Sequence, residues 1–219
     1  MASNFGSAFH WPRNDNFTIW DAKQQEVHPA CRVEPSSAKD VANILGVLVD
    51  HWCYFSVKGG GHSRNPGDSN SVGGVTVDLD RLDRVEILQG GSRARVGGGA
   101  TTLQVYEALD PHNMSFVGGR VGSVGMGGFT LGGGTSPFSN RYGLSLDNVY
   151  EYEVRSIFVP PTEQSLICFR LFLPTEPSPT PQKRITPTFT SPSVEAEITS
   201  ALSRPSQFEL SHRDPSTPV

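Results

Sequence analysis

Nine of the seventeen residues from Gly118 to Gly134 are glycine. In a helix interior each glycine costs about 1 kcal/mol relative to alanine, so GGRVGSVGMGGFTLGGG does not read as an ordinary core element. Glycine admits positive φ and lets backbone N–H groups come close to a ligand. Consecutive N–H groups in such loops form anion-binding concavities. A second loop of this kind, KGGGHS at 58–63, directly follows a strand-like run. Two such loops in one domain point to a long, phosphate-containing ligand such as a dinucleotide. Glycine turns without any ligand are the competing reading for either loop taken alone.

The familiar nucleotide fingerprints do not fit. A P-loop needs GxxxxGK[ST], which is absent from the chain. A dinucleotide fingerprint needs GxGxxG between strand and helix. VGGGATTL (96–103) has that context but lacks the third glycine, and in the second loop Thr130 stands where the last glycine belongs.

Glycine and proline divide the chain. All 23 glycines lie at or before Gly143, whereas eleven of the 17 prolines lie in 155–219. Proline removes a backbone donor and interrupts helix and ladder. A proline-rich segment with little apolar patterning cannot offset its ordering entropy. The expected organisation is an N-terminal segment at 1–25, a folded domain at 26–154 and a disordered, proline-rich tail at 155–219. A short strand is expected around Ile167–Leu173, and a docking role for the tail is the alternative.

Within 26–154 the pattern is that of an α/β domain. Val41, Ile44, Leu45 and Leu48 form an apolar stripe on a helix from about Ala38 to His51. Ser37 and Asp40 stand as in a capping box, with Asp in the usual Glu place. Tyr54–Lys58 reads as a strand with Phe55 and Val57 on one face. Val75, Val77 and Leu79 alternate on a second strand. Val85–Leu88 and Arg93–Val96 form a hairpin turned at Gly90-Gly91. Thr101 or Thr102 opens a helix to Leu109, and Leu146–Val154 reads as one more strand.

The net charge of −4, with both signs interspersed, gives no footprint for nucleic acid or an anionic membrane. No apolar run approaches the roughly 20 residues of a membrane span, and the start of the chain shows no signal-peptide pattern. Three cysteines without a CxxC pair argue against zinc. Cys31 and Cys53 are buried free thiols or a disulfide, the latter requiring an oxidising compartment. The sequons at Asn16 and Asn113 matter only there.

PACRVEPSSAKDVANIL (29–45), FSVKGGGHS (55–63), VTVDLDRL (75–82), VGGGATTLQVY (96–106) and GGRVGSVGMGGFTLGGGTSPFSNRYGLSLDNV (118–149) resemble, in this order, the FAD-binding domain of berberine-bridge-like oxidases. These belong to the wider vanillyl-alcohol-oxidase (PCMH-type) flavoproteins, and this version looks fungal. The resemblance covers about 20–154. It implies an α+β fold, a PCMH-type FAD-binding domain of two small α/β subdomains gripping an extended FAD. It implies cofactor contacts at Lys58, Gly59, Gly60, Gly61, His62 and Ser63, and at Gly119, Val121, Gly122, Ser123, Gly125, Gly127, Gly128 and Leu131. Asp78 and Leu79 fall where the family approaches the cofactor.

His62 matches the histidine that the family commonly bonds to the flavin, and a neutral imidazole is a competent nucleophile. Some members add a second bond through a cysteine. Val121 stands at that position here, so at most one covalent link is expected. His112 lies in no matching motif and reads as a turn residue.

The pattern is lost at Arg155, where the composition also changes. The expectation is that the substrate half of the enzyme is missing and that 155–219 arises from a retained intron or a shifted frame. The implied activity is flavin-dependent oxidation of an alcohol, sugar or secondary-metabolite substrate with oxygen as acceptor, impaired by this loss. The partner implied is a small-molecule substrate of the full-length parent. A non-catalytic FAD-binding fragment or a gene-model product is the alternative.

Overall fold

The computed structural model describes residues 8–11, 17, 19–88, 90–153 and, as backbone, the strand 168–170. The chain divides into Met1–Gln182 and Lys183–Val219. All the described residues lie in the first unit. The expected disorder of the tail concerns residues outside the described set, apart from 168–170.

Two four-stranded sheets carry the fold, each with its own core. The first contains β1 (Phe9–His10), β2 (Cys31–Val33), β3 (Phe55–Lys58) and β4 (Val75–Asp78), in the order β1-β2-β4-β3. β2, β4 and β3 run parallel, and β1 is antiparallel to β2. Helix α1 (Ala22–Gln25) and helix α2 (Ala38–Asp50) complete this half.

The register of the parallel strands sorts the side chains by face. Cys31, Val33, Val75 and Val77 share one face and pack with Ile44 and Leu48 of α2. Leu48 is fully buried, which stabilises by about 1.5–3 kcal/mol. Phe55 and Val57 pair with Val75 and Val77 and so share that face. They are exposed nonetheless, because Ile44 and Leu48 cover β2 and β4 and leave the edge strand β3 open.

The opposite face is polar and buried. Arg32, Thr76, Asp78 and Lys58 lie there, with Ser56 half-buried beside them. Thr76 Oγ1 donates to Asn70 Oδ1 at 2.8 Å, and the Asn70 amide donates to the carbonyls of Gln24 and Val27. The loop after β3 is thereby tied down on this polar platform.

The second sheet contains β5 (Val85–Ile87), β6 (Arg93–Val96), β7 (Val149–Glu151) and β8 (Cys168–Arg170), in the order β5-β6-β8-β7, with every pair antiparallel. Its core joins Ala94 and Val96 to Val105 and Leu109 of α3 (Thr102–Leu109), with Phe116 and Met126. Two short helices follow, α4 (Met126–Leu131) and α5 (Ser139–Tyr142). The expected pair of small subdomains is therefore present, and both are mixed α/β.

Some local expectations change. Leu146–Asn148 is a 3-10 turn, and among the described residues of the expected strand 146–154 only Val149–Glu151 pairs. Asn148 drives the difference: its side-chain amide donates to the carbonyls of Tyr142 and Leu144 and pins the turn. Tyr54 precedes β3, its carbonyl accepting from Val75 N–H. Ser37 does cap α2, accepting from Asp40 N–H, and the Asp40 carboxylate accepts from the Ser36 amide and hydroxyl, with Ser37 also against it. Aspartate is one methylene shorter than the usual glutamate. Thr101, not Thr102, caps α3, in a complete capping box with Gln104. Of the strand expected at 167–173, residues 168–170 form β8.

Candidate functional site

The two glycine loops meet. A Cβ built on Gly60 would lie 2.7 Å from the Ser123 carbonyl oxygen and 2.9 Å from Gly125 Cα, and would also strike the Gly125 amide nitrogen. Real Cβ atoms do not approach that closely, so only glycine fits on either side. A third glycine run, Gly97–Gly99, forms the back of the junction. The Gly98 carbonyl oxygen would be 3.4 Å from a Cβ on Gly59 and 3.2 Å from one on Gly127. Gly97 and Gly99 press on the carbonyls of Leu82 and Leu79.

Much of the glycine content therefore serves chain-to-chain contact, which the sequence reading had assigned to a ligand. What remains for a ligand is the set of unpaired amides. The N–H groups of Gly60, Gly61, His62 and Ser63 have no acceptor among the described residues, and neither do those from Gly119 to Ser123. The second run is held from behind. Thr102 N–H and Leu103 N–H, the first donors of α3, take the carbonyls of Val124 and Gly122, which satisfies that helix end. Met126 N–H takes the Ala100 carbonyl. The carbonyls are used inside the fold while the amides stay available, and such runs attract anions.

His62 joins the loops a second time. Its Nε2 lies 2.9 Å from Ser123 Oγ. The Trp20 indole stacks on the imidazole with centroids 4.0 Å apart and planes 14° apart. Burial pushes the His62 pKa below its ordinary value, opposed by a hydrogen bond to the Ser123 backbone and by the Asp21 carboxylate. The lowered pKa favours the neutral ring.

The other expected contacts fall in different settings. Gly61 adopts φ +68° beneath Ile19. Ser63 Oγ donates to Asp68 at 2.6 Å, and its carbonyl accepts from the buried Gln24 amide. Gly119 lies under the Phe129 ring, Gly122 against Leu103, and Gly128 faces open space. Val121 and Leu131 are exposed.

Lys58 sits in a buried ion-pair network. Its ammonium is buried and paired with Asp78 at 2.9 Å and Asp80 at 2.7 Å. Asp78 also accepts from Arg32 at 2.9 Å. Burial raises the Asp78 pKa, and the Lys58 ammonium opposes the shift. Asp78 on β4 and Asp80 just past its end together hold the lysine against the sheet. Asp78 is fully buried in this network. His112 closes an exposed 3-10 turn, as expected.

Trp20, Ile19 and the Gly97–Gly99 wall were not foreseen as parts of the site. The available signals were the tryptophan directly before Asp21, the helix-capping residue of α1, and the glycine triplet after β6.

Residues 29–156 match the profile of the FAD binding domain family. The chain belongs to that family, and its cofactor is FAD. It is 47% identical over 136 residues to the FAD-dependent monooxygenase tpcD of Cochliobolus heterostrophus, covering 62% of this chain and 26% of the relative. It is 38% identical over 132 residues to the FAD-dependent monooxygenase macF of Penicillium terrestre, covering 58% and 25%. The chain thus spans about a quarter of the length of these curated relatives.

Among solved structures, 6-hydroxy-D-nicotine oxidase from Arthrobacter nicotinovorans superposes with a TM-score of 0.67 at 25% identity, over 75% of this chain and 42% of that one. Glucooligosaccharide oxidase from Acremonium strictum, described with a 6-S-cysteinyl, 8α-N1-histidyl FAD, gives 0.55 at 32% identity, over 61% and 28%. The PCMH and berberine-bridge-like character of the fold is shared with these neighbours.

Proposed function

We propose that the chain binds FAD with the pyrophosphate against the amides of Gly60–Ser63 and Gly119–Ser123, and that it is a cofactor-binding part of a flavin-dependent oxidoreductase. The single observation that carries this reading is the meeting of two unpaired amide runs at the Gly60–Gly125 contact. Bound FAD supplies a two-electron acceptor. The residues present bind and orient it, which is the protein's share of the work in a cofactor enzyme. Gly59, Gly127 and Gly128 complete the cradle, and Val121 and Leu131 present apolar surface beside it.

His62 is the attachment point for FAD. Its ring, lying between the loops with its pKa pushed down by burial, supports the assignment, as does the histidyl link in the description of glucooligosaccharide oxidase. Valine at 121 provides no thiol, so one link is the maximum there. The full-length parent oxidises an alcohol, sugar or secondary-metabolite substrate with oxygen as acceptor.

Equilibrium dialysis with FAD, followed by the mass of the denatured chain, tests the reading. Retained flavin mass in the wild type, lost in His62→Ala, is the expected result. A folded chain that takes up no FAD contradicts it.

A further inference from the structure

The segment Ile19–Asp21 belongs to neither glycine loop, yet it closes over the first. Ile19 is buried against Gly61, where a Cβ would leave it no room. The Ile19 carbonyl accepts from the Gln25 side chain at 2.8 Å, and Asp21 caps α1 by accepting from Lys23 N–H. Trp20 is therefore fixed on both sides, although its indole is half exposed. An exposed tryptophan held this firmly has one evident contact, the face of the His62 imidazole.

The ring of His62 is constrained twice, in plane by Trp20 and at Nε2 by Ser123 Oγ. Among the described residues its side-chain hydrogen bond is made through Nε2, and the Ser123 backbone also bears on the ring. We infer that Trp20 and Ser123 are positioning residues for His62: Trp20 sets the plane of the imidazole, and Ser123 Oγ accepts the Nε2 proton, leaving the Nδ1 lone pair as the free nitrogen. The hydrogen bond made by one ring nitrogen decides which tautomer the other adopts. The inference deepens the assignment of His62 as the attachment point and rests on it for its purpose. The arrangement itself is a property of the flavin-free chain.

The test is the His62 tautomer in the imidazole-15N-labelled chain without FAD, read by long-range 1H–15N correlation at about pH 8, where histidine is neutral. The expected result is protonated Nε2 and bare Nδ1 in the wild type, and a mixture in Ser123→Ala. With FAD added, adduct formation should slow about tenfold or more in Trp20→Ala, since small displacements of a reacting group cost up to about 100-fold. Trp20→Phe, which keeps a stacking ring, should restore it. A proton on Nδ1 in the wild type, or a tautomer indifferent to Ser123→Ala, overturns the inference. Because the tautomer is read without flavin, a chain with the expected tautomer that forms no adduct counts against the attachment reading alone.

Discussion

Gly60 and Gly125 exclude each other's Cβ: one built on either residue would strike the amide nitrogen of the other. Gly60→Ala and Gly125→Ala should each destabilise the chain by about 1–3 kcal/mol, the usual cost of overpacking, and should abolish FAD binding. Gly128→Ala is the contrast. It lies in α4 with nothing within 4 Å of the new Cβ, so it should raise apo stability by up to about 1 kcal/mol. Denaturant unfolding with and without FAD distinguishes the two kinds of glycine.

Lys58→Met should cost about 3–5 kcal/mol, because it leaves Asp78 buried with one of its two cations removed. The loss should be the same in the absence of flavin. A variant with wild-type apo stability but weakened FAD affinity would return Lys58 to the cofactor site.

The sequence made the glycine loops and His62 legible because glycine runs and their order along the chain are local signals. α2 was legible for the same reason, through its stripe of Ile44 and Leu48 and its Ser37 cap. The role of Lys58 was not, since its fate depends on Asp78, which parallel pairing brings beside it from twenty residues away. Nor was the strand β2, three residues long and defined only by its neighbours on either side. Trp20 leaves no signal in the sequence, because a single aromatic in a short N-terminal segment has no periodicity. The alternation at Phe55 and Val57 was read correctly as one face, but which face remains open depends on where α2 ends.

Cys31 and Cys53 are both free thiols. Cys31 is buried, and burial raises its pKa, with Cys53 adding to the shift. Alkylation should be slow at Cys31 and faster at Cys53. A native mass two hydrogens short, restored by reductant, would indicate a disulfide instead.

The depressed pKa of His62 makes stability depend on pH in a defined sense. The unfolded chain binds the proton more readily than the folded one. The folded state is therefore undiminished above the ordinary histidine range near 6.5, and loses stability as the pH falls through that range, levelling off below the folded pKa. His62→Asn should flatten this part of the profile. An unchanged slope between about pH 7 and 5 would show that the ring titrates normally.

The most direct test of the account is a 15N-resolved amide titration of the chain with FAD. The account predicts saturable shifts at Gly60–Ser63 and at Gly119–Ser123 together, with the amides on the far side of the second sheet unmoved. Saturable FAD binding that leaves both of those runs unshifted, or a folded chain in which no amide responds, would contradict it.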